Sequence, residues 1–397
     1  MGGLRGNIVI GQSGGPTHVI NQSLVGIVEA ARSAVSGRVL GAVHGIKGVL
    51  EERLVDLGRE SNETLEAVAL TPGAALRSVR KKPSREECER ALEVFAKHDV
   101  RCFFYIGGND SAETAHLLNE LAVAAGYDLR LFHVPKTIDN DLRVTDHCPG
   151  YGSAARYVAL SFIGDNVDVR SLPGIKLNVV MGRNAGWLTA SSVLARQHED
   201  DGPHLIYLPE RPFSIERFAS DVAAVQQRLG RCICAISEGV RGESGELIAS
   251  SKETDSHGNV QLSGSGALGD RLAAALKSRL GEKLRVRADT FGYAQRSFPG
   301  AASSVDASEA RAVGRAAVEF ALAGDAPHGS VAIVRASNAP YSVRYERVEL
   351  RLVARDTRPM EAELIRGDND VSSAFVDYVR PLVGELPRVA RLSDYPI

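Results

Sequence analysis

Short apolar runs that stop at glycine-bearing polar loops, each followed by apolar residues spaced three and four apart, recur along the chain. That alternation predicts strand–loop–helix units and a mainly parallel sheet. Asn7 to Ile10 is the first run; it closes on Gly11-Gln12-Ser13-Gly14-Gly15-Pro16 ahead of a helical pattern from Ile20 to Ala31. Residues 38–57 mix apolar residues and glycines with no decisive period, so strand and helix stay open there. Glu86 to Lys97 predicts a helix, Cys102 to Ile106 a strand buried on both faces, and Gly107-Gly108 the turn into a second helix running through Ala125. Leu129 to Val134, Lys176 to Val180, His204 to Leu208, Arg231 to Ile236, Arg285 to Phe291 and Ser330 to Val334 predict further strands. Helices are predicted at Gly150 to Ile163, after Ser214, along Leu268 to Leu280, and up to Leu322 with Asp306 and Glu309 as a capping pair. Gly242 to Gly258 predicts a polar surface excursion, and the tail after Thr357 predicts helices.

The polar ends of these strands carry the candidate chemistry. Pro135-Lys136-Thr137-Ile138-Asp139-Asn140-Asp141 follows a strand and sets a hydroxyl and two carboxylates at alternating positions. With the backbone extended, Thr137, Asp139 and Asp141 share one face. A carboxylate there can take the proton of an attacking alcohol while its neighbour helps hold a metal and phosphates. By itself the stretch reads more simply as a turn, because Thr, Asn and Asp bond locally to backbone. Its company changes that: Gly11 to Pro16 and Gly107-Gly108-Asn109-Asp110-Ser111 end strands in the same manner, so three strand ends converge on one crevice. The helix after Gly108 aims free N–H groups at whatever lies over the glycines, a standard way to hold phosphate. Thr71 to Lys82 carries four basic residues in its last six positions, either a solvated run or an anion clamp, with its small lead-in residues favouring the clamp. Ser237-Glu238-Gly239 ends another buried strand where ligands bind in open α/β sheets.

Composition narrows the ligand. A chain of 397 residues, 44% hydrophobic and 24% charged, has room for two lobes. Its net charge of −2 gives no general attraction to nucleic acid or to an anionic membrane, so anions must be met by local basic clusters. With no spanning-length apolar run and no signal-peptide plan, the reading is cytoplasmic. Cys88, Cys102, Cys148, Cys232 and Cys234 read as free thiols, and neither they nor the ten histidines show a metal-ligand spacing.

Taken together, Ser13-Gly14-Gly15-Pro16, Gly107 to Ser111, Pro135 to Asp141, Met181-Gly182-Arg183, Ser237-Glu238-Gly239 and Tyr293-Ala294-Gln295-Arg296 give the chain a resemblance to the 6-phosphofructokinase family from about Asn7 to Ser337. The resemblance implies an α/β protein of two similar lobes, each a mainly parallel sheet with helices on both faces, and an active site in the cleft between them. It implies a donor lobe of residues 1–145 plus about 295–340 and a sugar-phosphate lobe of 146–294 plus about 341–397. It implies phosphoryl transfer to the 1-hydroxyl of fructose 6-phosphate, with Asp139 as general base, Lys136 and Thr137 beside it, Mg2+ as cofactor, and a homodimer or homotetramer.

On the donor side the resemblance places Gly14, Gly15, Arg80, Asp110 and Asp141, with Arg80 reaching the transferring group. On the sugar side it places Met181, Gly182, Arg183 and Glu238, and around the sugar phosphate Arg287, Tyr293 and Arg296. Some of the family's phosphate-binding arginines come from a neighbouring subunit. Asp110 and Lys136 stand where ATP-using members carry glycine, and the pair resembles the pyrophosphate-dependent branch. Asn109 stands where most members have an aspartate near the magnesium, leaving Asp110 to take over part of that role. The alternatives are an ATP-dependent 6-phosphofructokinase, a lipid or NAD kinase, which the sugar-side set opposes, and a non-catalytic sugar-phosphate sensor, which would have no need of the base. A dinucleotide reductase lacks its Gly-x-Gly-x-x-Gly loop.

Overall fold

The structure, a computed structural model, describes residues 5–248, 266–324, 326–354 and 356–393. Eleven strands build its two main sheets: β1 Asn7–Gln12, β2 Val39–Ala42, β3 Leu54–Asp56, β4 Val100–Gly107, β5 Arg130–Pro135, β6 Ile175–Val180, β7 Leu205–Tyr207, β8 Cys232–Ser237, β9 Val286–Thr290, β10 His328–Asn338 and β11 Tyr341–Val348. Among the described residues, those up to Ala154 and Arg296–Arg358 form one compact unit; those from Ala155 to Gln295 and from Pro359 onward form another. The chain changes unit inside the helix Tyr151–Ser171, inside the helix Ala294–Ser297, and after Arg358.

The first unit is a seven-stranded sheet in the order β11-β10-β5-β4-β1-β2-β3, parallel except at its two edge pairs. β4 reads Val-Arg-Cys-Phe-Phe-Tyr-Ile-Gly without alternation because both of its faces are covered. Cys102, Phe104 and Ile106 enter the core under the helices Ile20–Arg32 and Ser304–Ala323. Phe103 and Tyr105 enter the opposite core, under Arg85–Lys97 and Asn109–Ala124. The second unit is a four-stranded parallel sheet in the order β7-β8-β6-β9. Its helix Ile215–Leu229 is capped by Ser214, ends at the left-handed Gly230, and buries Phe218, Val222 and Val225 as the spacing predicts. No described helix is long and apolar enough to cross a membrane, and all five cysteines are free and buried.

Several expectations need correction. The open segment 38–57 resolves into β2, a short helix Gly45–Leu50 and β3. The expected strand Ser330 to Val334 is longer and turns back as β11, whose Tyr341, Val343 and Tyr345 point to one side and Ser342, Arg344 and Glu346 to the other. Asp306 and Glu309 do not cap their helix; Ser303 does, its hydroxyl accepting from the Asp306 N–H. The tail holds the small pair Ile365–Arg366 and Asp370–Val371 before the helix Ser373–Val383, so it is not wholly helical. The polar excursion expected at Gly242 to Gly258 lies, from residue 249 on, outside the described residues.

Candidate active site

In the first unit the register sets Gln12 beside Ile106 and Gly107 beside Pro135, so the carboxyl ends of β1, β4 and β5 lie side by side. The loops after them therefore meet over adjacent parallel strands, with β1 followed by β2 on one side and β4 on the other, the arrangement that opens a ligand crevice. Gly107 has to be glycine: a Cβ there would fall 1.9 Å from Ser111 Oγ, in the first turn of the helix Asn109–Ala124. That contact seats the helix N-terminus, with its free N–H groups, directly on the strand ends.

The first loop is held open by its neighbours. Gly14, at φ 77°, donates its N–H to the Val79 carbonyl at 3.0 Å and accepts from the Ser78 hydroxyl at 2.6 Å. Of the basic stretch that follows Ser78, Lys81 and Lys82 pair with Glu87 and Glu113, at 2.7 and 2.8 Å, on flanking helices. Arg80 remains close enough to the third loop for its charge to be felt by Lys136.

Lys136 is buried, and its Nζ donates to the Gly15 carbonyl at 2.8 Å. Burial, then the cations of Arg296 and Arg80, pull its pKa down to about 7 against the opposing pull of Asp139 and Asp141. Such an ammonium binds best with an anion beside it. Arg296 lies against the same loop, its Nη1 2.7 Å from where a Cβ on Gly15 would fall. The resemblance places Arg296 at the sugar phosphate, and in the structure its guanidinium lies beside Gly15.

The expected strand-like alternation of Thr137, Asp139 and Asp141 does not occur. Asp139 donates its N–H to Thr137 Oγ1 at 3.1 Å, and Asn140 adopts the left-handed conformation at φ 56°, so the segment turns. The turn itself brings the carboxylates together: burial and then the charge of Asp139 raise the pKa of Asp141. A carboxyl placed beside another negative charge gives up its proton reluctantly. Asn109 donates weakly to Asp141 Oδ2 at 3.5 Å, while its own Oδ1 is buried without a hydrogen-bond partner. Asp110 stands in the first turn of the helix and is exposed.

In the second unit the carboxyl ends of β6 and β8 present Met181, Gly182, Arg183 and Glu238. Gly182, at φ 146°, has room for no side chain, since a Cβ would lie 2.6 Å from the Ala185 carbonyl. Its own carbonyl accepts from the Ser237 hydroxyl at 2.5 Å, and Glu238 N–H bonds the Val180 carbonyl at 2.9 Å, tying the two strand ends together. Tyr293 follows β9 and is half exposed. Arg287 is different: as the second residue of β9 it lies roughly 10 Å, three residues, before that strand's carboxyl end. It pairs there with Asp168 at 2.8 Å.

Two supporting residues escaped sequence reasoning. Gln295 accepts from the Met181 N–H at 3.3 Å and donates to the Gly292 carbonyl at 2.7 Å. Arg358 donates its backbone N–H to the Asp141 carbonyl at 2.7 Å. Gln295 lies inside a motif that could have drawn attention to it; Arg358, more than two hundred residues from Asp141, carried no signal.

Residues 7–321 match the phosphofructokinase family. The chain is 50% identical to the pyrophosphate–fructose 6-phosphate 1-phosphotransferase of Rhodospirillum rubrum, over 98% of this chain and 97% of that protein. It is 42% identical to the protein of the same name from Xanthomonas campestris pv. campestris, over 96% and 93%. Among solved structures, the pyrophosphate-dependent phosphofructokinase of Marinobacter aquaeolei superimposes with a TM-score of 0.84 at 35% identity, over 99% of this chain and 97% of that one.

Proposed function

Because the chain belongs to the phosphofructokinase family, we propose that it transfers a phosphoryl group reversibly from pyrophosphate to the 1-hydroxyl of fructose 6-phosphate, giving fructose 1,6-bisphosphate and phosphate. The observation that carries the donor is Lys136, a buried ammonium planted on the Gly15 carbonyl among the three strand-end loops. In that place it meets a short, highly charged donor and then the phosphate that leaves.

Asp139 accepts the proton of the 1-hydroxyl as its oxygen bonds the transferring phosphorus and the bridging P–O bond of pyrophosphate breaks. Lys136, Arg80 and Arg296 offset the charge gathering on the departing phosphate, which is where fixed cations lower a barrier most. The helix N-terminus at Asn109 adds aligned N–H groups. Thr137 and Asp141 flank the transferring group. Mg2+ needs only one or two protein oxygens when phosphates supply the rest. The exposed Asp110 carboxylate and the unpartnered Asn109 Oδ1 fit that demand and would hold the ion, which would neutralise phosphate charge.

Met181, Gly182, Arg183 and Glu238 are read as binding the sugar, and Tyr293 its phosphate. Arg287, remote from the carboxyl end of its own strand, fits a phosphate in a neighbouring subunit's site, and with it a cytoplasmic homodimer or homotetramer. Arg287→Ala should raise the fructose 6-phosphate KM by roughly tenfold or more with kcat little changed, because a charge-assisted bond to a remote phosphate acts in binding. A change confined to the pyrophosphate KM would overturn that placement.

The donor is tested with the purified protein, Mg2+ and fructose 6-phosphate. Pyrophosphate should support turnover and ATP should give about 100-fold less or none. Fructose 1,6-bisphosphate with phosphate should drive the reverse reaction. Efficient use of ATP with pyrophosphate inert would replace this donor with a nucleotide.

A further inference from the structure

Both ring nitrogens of one buried histidine face carboxylates. His147 Nδ1 lies 2.7 Å from Asp146 Oδ1, and Nε2 lies 2.6 Å from Glu309 Oε2. A neutral imidazole has one N–H to donate, so only the imidazolium satisfies both partners. The side chains of His147 and Glu309 are 2% and 7% exposed, so bulk solvent does not reach this contact. Burial works against the charged ring, but the hydrogen bonds and charges of Asp146 and Glu309 outweigh it and hold His147 above the ordinary histidine range.

The surrounding groups fix this centre from every side. Asp146 Oδ1 also accepts from Arg335 Nε and Nη2 at 3.1 and 2.9 Å, and the Asp146 carbonyl from Arg358 Nη2 at 3.0 Å. Glu309 Oε1 takes the Tyr341 hydroxyl at 2.7 Å, and Arg335 lies over the Tyr341 ring, 5.2 Å from its centroid. Asp306, one turn before Glu309, adds negative charge while its carboxylate accepts the Gly150 and Ser153 N–H groups, both at 2.8 Å.

The strap so anchored carries the turn that holds the reacting carboxyls. Cys148 donates its N–H to Asn140 Oδ1 at 3.0 Å, and Thr137 donates its N–H to the Pro149 carbonyl at 3.2 Å. Asn140 stands between Asp139 and Asp141, and its left-handed backbone decides how the two are aimed. We propose that His147, held as an imidazolium between Asp146 and Glu309, is the positioning residue that sets the geometry of Asp139 and Asp141. This rests on Asp139 acting as the base. When the proton is lost as pH rises, one ring nitrogen becomes an acceptor facing a carboxyl oxygen, the strap loses that anchor, and kcat falls on the alkaline side; below that pH the clamp is complete.

The test measures kcat and KM from about pH 6 to 10 for the unaltered protein, His147→Gln and Glu309→Gln, with circular dichroism, thermal melting and NMR of the histidine rings. His147→Gln should keep its fold and both KM values within about threefold while kcat drops about 30-fold or more. Glu309→Gln, which removes one of the two carboxyl groups bonded to the ring, should move the alkaline fall in kcat down by about one pH unit. The ring signal missing from His147→Gln should titrate at the pH of that fall. A folded His147→Gln with kcat within about threefold, or an alkaline limb unmoved in Glu309→Gln, overturns the proposal. Should His147→Gln fail to fold, the Glu309→Gln limb and the ring titration in the unaltered protein decide, since a merely structural histidine would change melting and leave that limb in place. The reference is whichever donor the unaltered protein turns over, so inactivity with pyrophosphate counts against the donor alone.

Discussion

Asp139→Asn is expected to lower kcat by roughly 100-fold or more, about 2.7 kcal/mol in the barrier, with the requirement for fructose 6-phosphate largely kept. The substitution preserves size and polarity and removes only the ability to accept a proton, so the loss belongs to the transition state. The neighbouring carboxyl supplies a second readout. The charge of Asp139 is one reason, after burial, that Asp141 resists ionisation. With that charge gone, Asp141 ionises more easily, and the acid limb of the residual activity should move to lower pH. Steady-state kinetics across pH measure both effects. A near-normal kcat would remove Asp139 from the mechanism.

Asp110→Gly combined with Lys136→Gly should exchange one donor for the other. On the proposed reading, the exposed Asp110 carboxylate adds charge where the α-phosphate of a nucleotide would pass. Two like charges about 4 Å apart at an effective dielectric near 20 repel by about 4 kcal/mol, on the order of a thousandfold in affinity. Lys136, whose Nζ donates to the Gly15 carbonyl, acts in the other direction under the same proposal, by receiving the leaving phosphate. The double variant should therefore lose pyrophosphate turnover by roughly a hundredfold or more and bind ATP measurably by calorimetry. Asp110→Gly alone should admit ATP and turn it over poorly, because it loses the carboxylate proposed to hold Mg2+ and Lys136 still fills the space beside the transferring group. A double variant that keeps full pyrophosphate activity and shows no ATP binding would show that neither residue selects the donor.

Much of this arrangement was legible in the residues. Uniformly apolar runs such as Phe103-Phe104-Tyr105-Ile106 mark strands covered on both faces, and the polar loops that interrupt them mark the ends where ligands bind. Long-range partnerships were hidden. Arg296 lies against Gly15, and Asp306 accepts the Gly150 N–H from another part of the chain. Asp306 and Glu309 looked like a local cap because a carboxylate near a helix start usually bonds its own turn; here both reach the strap around His147 instead. The alternation argument for Thr137, Asp139 and Asp141 failed at one residue. A left-handed Asn140 changes which way everything after it points, and asparagine tolerates that conformation without requiring it. β11 was not expected although its period-two pattern was present, with Tyr341, Val343 and Tyr345 half-buried between exposed Ser342, Arg344 and Glu346.

The order of strands carries a cost during synthesis. β5 pairs on one side with β4 and on the other with β10, which arrives roughly 200 residues later. At about 5–20 residues per second, a nascent chain leaves that row of N–H and carbonyl groups unpaired for roughly 10–40 s while the ribosome makes the whole second sheet. An unpaired edge next to an apolar core is a template for joining other chains. A product truncated before His328 would keep that edge of β5 unpaired, and it should aggregate more readily than the full chain.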